Sequence, residues 1–89
     1  MAKYILWGRY CENALDKRQP YRQAHLDGLA QQKDAGILVT LGPTADNTQV
    51  FGIYEADDEA SVRQLIENDP YWKHGIWTEY EVKAWIQAF

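Results

Sequence analysis

From residue 76 to residue 85 the chain alternates strictly, Ile76, Thr78, Tyr80, Val82 and Ala84 against Trp77, Glu79, Glu81, Lys83 and Trp85. A period of two sends successive side chains to opposite faces of a sheet and fits no helix, so the chain ends in a β-strand. The rest of the sheet has to come from earlier segments. Residues 3–10 are rich in aromatic and β-branched side chains, with Tyr4, Leu6 and Tyr10 on one face and Ile5, Trp7 and Arg9 on the other. Residues 37–41 form a continuous apolar run stopped by Gly42-Pro43, and a second run covers residues 50–56 after a polar loop at 44–49. These are strands one, two and three.

Two helices fill the gaps. Residues 18–35 have helical composition, with Pro20 in the first turn and Gly36 as the C-terminal cap. Tyr21, His25, Leu26, Leu29 and Ala30 make its apolar side, and Asp27, Gln31, Gln32 and Asp34 its wet side. Asp57-Asp58-Glu59 gathers carboxylates where a helix start favours them. Ala60, Leu65 and Ile66 supply that second helix's apolar side until Asn68-Asp69-Pro70 stops it. Residues 11–16 and 71–75 are expected to be loops. The order β-α-β-β-α-β predicts one α+β domain over residues 1–89: a ferredoxin-like split β-α-β fold, antiparallel order 4-1-3-2, both helices on one face.

The other sheet face has no cover within the chain, yet strand one is apolar on both sides and strand four carries Trp77 and Trp85 opposite Tyr80 and Val82. A second copy of the sheet is the simplest cover, so a homodimer is expected. At 89 residues, a lone copy buries only about 60–65% of its unfolded surface, which also favours assembly. The net charge of −4 comes without a basic cluster, which argues against nucleic acid and anionic membrane surfaces as partners. No apolar run approaches the roughly 20 residues of a span, and the first residues lead into a strand rather than a signal peptide. A cytoplasmic protein is expected. Cys11 is the single cysteine, so neither an internal disulfide nor a cysteine zinc site is expected.

Following strand directions through this order brings four pieces to one end of the domain: the start of helix one, the Gly42-Pro43 loop, the end of helix two, and residues 69–75. His25, Arg22 and Asp69 meet there although they are far apart in sequence, Arg22 and His25 sharing a helix face. A carboxylate beside an imidazole fixes its tautomer and suits it to general acid or base work. Arg22 is a candidate anchor for an anionic substrate. Gly42, Pro43, Tyr71, Trp7 and Trp72 are candidate pocket walls. Each also has an ordinary structural reading: a satisfied helix histidine, an Asp-Pro turn, a solvated arginine, core aromatics. His74 and His25 lack a close-spaced ligand motif, and a metal is not expected.

Arg22-Gln-Ala-His25-Leu26, Ala35-Gly36 before a strand ending in Gly42-Pro43, and Asp69-Pro70-Tyr71 followed by Gly75 together resemble the YCII-related (YciI-like) family over essentially the whole chain. The resemblance implies a dimeric ferredoxin-like α+β barrel related in fold to muconolactone isomerase. It implies that His25 and Asp69 match the family's His-Asp pair. One branch of the family is associated with dehydrochlorination of a chlorinated hydroxyquinol, which implies lyase or isomerase chemistry on a small cyclic or aromatic molecule. The polar loop 44–49 and the aromatic strand four depart from the family pattern. The expectation is therefore a cofactor-independent enzyme for a small anionic or aromatic ligand; the alternatives are a non-catalytic dimeric metabolite-binding module and a related monooxygenase or haem-binding dimer.

Overall fold

The computed structural model describes residues 2–89. Its elements are β1 (Ala2–Tyr10), α1 (Ala14–Lys17), a single 3-10 turn (Gln19–Tyr21), α2 (Arg22–Asp34), β2 (Leu38–Pro43), β3 (Gln49–Ala56), α3 (Glu59–Glu67), α4 (Pro70–Lys73) and β4 (Trp77–Trp85). The four strands form one antiparallel sheet in the order β2-β3-β1-β4, the expected order. Pro43 is tolerated at the end of β2 because β2 is an edge strand.

The helices cover one face. Tyr4, Leu6, Tyr10, Val50, Tyr54, Val82 and Trp77 from the strands pack with Val62, Ile66 and Tyr71 into a single core. Helix α3 starts at Asp58, whose carboxylate accepts the Ser61 N–H at 2.8 Å and is held below the usual carboxylate range by its bonds to Ser61. Val62 and Ile66, four residues apart, are the side chains it buries; Ala60 is exposed and Leu65 half-buried, so the expected apolar side was rotated from the real one. Helix α2 likewise buries a narrower stripe than expected: His25 is buried, Leu29 half-buried, and Leu26 and Ala30 are exposed.

The two presumed loops contain the short helices α1 and α4. Helices α2 and α4 both end in the same six-residue cap. At α2, Ile37 N–H donates to Gln32 O and Gly36 N–H to Lys33 O; at α4, Ile76 N–H donates to Tyr71 O and Gly75 N–H to Trp72 O. Gly36 and Gly75 hold the left-handed backbone this requires, at φ 79° and 71°. The second cap turns the chain from α4 straight into β4.

Strand β4 is where the alternation misled. Arg9 pairs with Glu79, but Tyr10 pairs with Trp77, a register shift that inserts an extra residue into β4. Beyond that bulge the faces exchange, and Trp77 turns into the core at 1% exposure instead of lying on the open sheet face. The open face keeps Ile5, Trp7, Phe51, Ile53 and Trp85. Trp7 is 42% exposed and meets Phe51 edge-on.

Candidate active site

His25 lies one turn into α2, and Asp69 is the residue before α4. Asp69 is expected as a turn residue and as the partner of His25, and its carboxylate makes both sets of contacts. It accepts the Tyr71 N–H at 2.8 Å, capping α4. It also faces His25 Nδ1 with both oxygens, at 2.8 and 2.9 Å. Both side chains are 5% exposed. A carboxylate can only accept here, so Nδ1 carries the proton, and in the neutral tautomer this leaves Nε2 as the acceptor. Nε2 has no partner among the described residues.

Aromatic rings fix the imidazole in place. Tyr71 stacks on it with centroids 3.7 Å apart and planes 7° from parallel, and Trp77 meets it edge-on at 5.3 Å and 87°. Trp77 is the residue the bulge delivered; its indole N–H is buried without a partner among the described residues. The negative charge of Asp69 reaches Tyr54 as well. Burial, then that charge, pushes the Tyr54 phenol well above its ordinary range, so it stays neutral.

His25 lines a cavity of about 130 Å³ together with Tyr10, Arg18, Arg22, Gly42, Pro43 and Tyr71, and with Leu26, Leu29 and Leu41. An enclosed cavity of about 150 Å³ accepts a benzene ring, so this half-open one has room for a single small ring. Arg22, Gly42, Pro43 and Tyr71 are brought together as expected from the strand directions. Trp7 and Trp72 are not. Trp7 lies on the open sheet face, and Trp72 packs its edge against Tyr80 at 5.0 Å; neither lines the cavity. Their positions follow from strand and helix phase: Trp7 alternates away from Leu6, and Trp72 is one residue past Tyr71 on a helix.

Arg18 and Tyr10 were not singled out from the sequence, although Arg18, Arg22, His25 and Leu29 follow the three- and four-residue spacing of one helical stripe. Arg18 Nε is buried and has no hydrogen-bond partner among the described residues. Burial raises the Tyr71 phenol above its ordinary range, with Tyr10 and Asp69 adding to the rise, and the positive charges of Arg18 and Arg22 partly oppose it.

Other titratable groups are less organised. A wider open groove of about 660 Å³ runs between the end of β1, α1 and the β2–β3 turn, lined by Cys11, Glu12, Asp16 and Asp46 among others. It offers no imidazole. Cys11 is half-buried, and His74 stacks on Tyr21 at 3.9 Å, apart from His25. No cluster of three or more His, Cys, Asp or Glu suited to a metal occurs among the described residues. Among them, no helix is long and apolar enough to cross a membrane.

A model of the YCII-related domain matches residues 2–86. The chain belongs to the YCII-related family. One solved structure of similar shape is the 5-chloro-2-hydroxyhydroquinone dehydrochlorinase of Burkholderia phenoliruptrix in complex with 2,5-dihydroxybenzoquinone. It is 26% identical with a TM-score of 0.83, over 97% of this chain and 95% of that one. More distant are a protein from Agrobacterium tumefaciens and a cofactor-independent oxygenase from Streptomyces nogalater. The first is 17% identical with a TM-score of 0.62, over 99% of this chain and 94% of that one. The second is 12% identical with a TM-score of 0.52, over 99% and 93%. These two share the family's fold and carry nothing further. No curated protein matches the chain.

Proposed function

We propose that this YCII-family chain is a cofactor-independent enzyme that moves a proton on a single-ring substrate, with His25 Nε2 as the base and Asp69 as its positioning partner. The observation that carries this is the buried His25–Asp69 pair, with Nδ1 engaged at 2.8 Å, Nε2 without a partner among the described residues, and His25 lining a ring-sized cavity. The likeness to a dehydrochlorinase solved with a quinone supports the same reading.

The chemistry is lyase or isomerase in type. Nε2 takes a proton from an acidic carbon or hydroxyl of the ring, and Asp69 stabilises the imidazolium that forms. The electron pair left behind is reprotonated at another ring atom, which isomerises the ring; where that atom carries a leaving group such as chloride, loss of a second hydroxyl proton then expels it and forms a double bond. The imidazolium then returns its proton to the product or to solvent. Positioned proton transfer of this kind contributes about a hundred- to ten-thousandfold in rate.

The homodimer belongs to the same proposal. Ile5, Trp7, Phe51, Ile53 and Trp85 form an apolar sheet face that a second copy would cover.

The test is chloride release from 5-chloro-2-hydroxyhydroquinone, followed together with the ring's absorbance. The wild-type protein should turn over this or a closely similar ring, and His25→Gln should lower the rate by about a hundredfold or more while the fold persists. A wild-type rate no faster than buffer across a panel of such rings, with binding intact, would leave a metabolite-binding module instead. Full activity in His25→Gln would remove His25 from the chemistry.

A further inference from the structure

Three buried side-chain polar atoms lack a partner among the described residues: Arg18 Nε, Gln32 Oε1 and Trp77 Nε1. Of these three residues, Arg18 is the one that lines the His25 cavity. Native proteins rarely leave a buried polar group unpaired, and a charged one least of all, so an orphaned guanidinium nitrogen on a cavity wall points to an acceptor that arrives from outside.

The surroundings say what kind. Arg18 closes α1 and Arg22 opens α2 four residues later, so two guanidiniums stand along one helical run. Neither forms an ion pair among the described residues. No carboxylate lines the cavity, since Asp69 stands behind His25 and is engaged by it. Like charges four apart repel, yet these two guanidiniums stand at a cavity without a carboxylate partner among the described residues, in a chain of net charge −4. A guanidinium matches an oxyanion in charge and in its forked donor geometry. Arg18, half-buried, is shielded from solvent screening, whereas Arg22 is exposed.

We infer that the His25 cavity selects a single-ring oxyanion, a ring enolate, phenolate or carboxylate, and that Arg18 is the residue that sets this selectivity, with Arg22 adding charge from the rim. The inference deepens the proposed function and rests on the same cavity. It gives His25 a substrate held by its acidic oxygen, so that the base and the anion site engage opposite ends of one small ring. The pull of both guanidiniums on the Tyr71 phenol is the effect that a bound oxyanion would feel in the same position.

Calorimetric titration with three rings of similar size tests it. In 2,5-dihydroxybenzoquinone each hydroxyl is conjugated to a carbonyl as in a carboxylic acid and ionises readily; hydroquinone is neutral, and benzoate carries a carboxylate. The wild-type protein should bind 2,5-dihydroxybenzoquinone at least about tenfold more tightly than hydroquinone, with affinity falling as salt rises. Arg18→Gln should lose roughly ten- to a hundredfold for the quinone and change hydroquinone binding by less than about twofold. Arg18→Lys should recover part of the loss, because the charge returns without the fork. Benzoate binding that depends on Arg18 would support the class with ring carboxylates included; no benzoate binding would support it restricted to ring oxygens.

Unchanged quinone affinity in Arg18→Gln would overturn the inference. So would wild-type binding of hydroquinone as tight as the quinone, or insensitive to salt, which needs no variant to fold. The two readings fail separately. If His25→Gln loses turnover while Arg18→Gln binds normally, this inference alone falls. If Arg18 governs binding while His25→Gln keeps full activity, the proposed proton transfer alone falls. A wild-type protein that binds none of the three rings overturns both.

Discussion

At the scale of single residues, the site turns on how many acceptors one carboxylate offers. Asp69 serves the Tyr71 N–H and His25 Nδ1 together, with both partners buried. Asp69→Ala removes every acceptor and leaves two buried donors unpaired, at about 1–3 kcal/mol each. Asp69→Asn keeps an oxygen for the cap but turns the other atom facing Nδ1 into a donor. Urea midpoints should therefore fall in the order wild type, Asp69→Asn, Asp69→Ala; an Asp69→Ala protein as stable as wild type would show that the pair contributes nothing to the fold. His25, Asp69 and Arg22 were legible because topology alone brings their elements to one end. Arg18 was not singled out, though it sits four residues before Arg22 in the expected helix. Its orphaned nitrogen depends on the exact path of the 3-10 turn, which residue spacing does not describe.

At the scale of elements, six of the eight strands and α-helices were legible, the strands from alternation or short apolar runs and the helices from Gly36, Asp58 and Pro70 as punctuation. The four-residue helices α1 and α4 were not, because a single turn carries no periodicity. The bulge in β4 was invisible for a related reason: strict alternation in sequence does not reveal where a strand takes an extra residue, and one such residue moved Trp77 from the expected open face into contact with His25. Gly8 sits just before this irregularity. A Cβ there would lie 2.8 Å from Glu79 O and 2.9 Å from Val50 Cγ1, so backbone and core both have to move. Gly8→Ala should destabilise the protein by about 1–3 kcal/mol as an overpacking change. Because the bulge follows directly, the variant should also disturb the near-ultraviolet dichroism of Trp77. A substitution with no effect on either would contradict the close approach of β1 and β4.

At the scale of the whole molecule, strand order and helix placement followed from the element order and the handedness of crossovers, and both were found as expected. The covering of the open face is an inference from its composition. With Trp77 in the core, Trp7 becomes the side chain to change: it is 42% exposed, beside Phe51, on that face. Trp7→Glu should shift a dimer toward monomer in light scattering, since an interface core tolerates an unpaired charge poorly, while leaving the monomer folded. A wild-type protein that is monomeric at micromolar concentration, or a Trp7→Glu protein that dimerises normally, would overturn the proposed assembly.

The central claim is that His25 Nε2 faces the ligand while Nδ1 stays with Asp69, and nitrogen-15 NMR of the imidazole during titration with 2,5-dihydroxybenzoquinone tests it most directly. Free protein with a neutral ring should show a protonated Nδ1 and an unprotonated Nε2. Saturation should then shift Nε2 strongly and leave the Nδ1 proton bonded to Asp69. The opposite tautomer, or a saturated protein in which His25 is unmoved and the shifts gather around Cys11 and Asp46 in the neighbouring groove, would contradict the account.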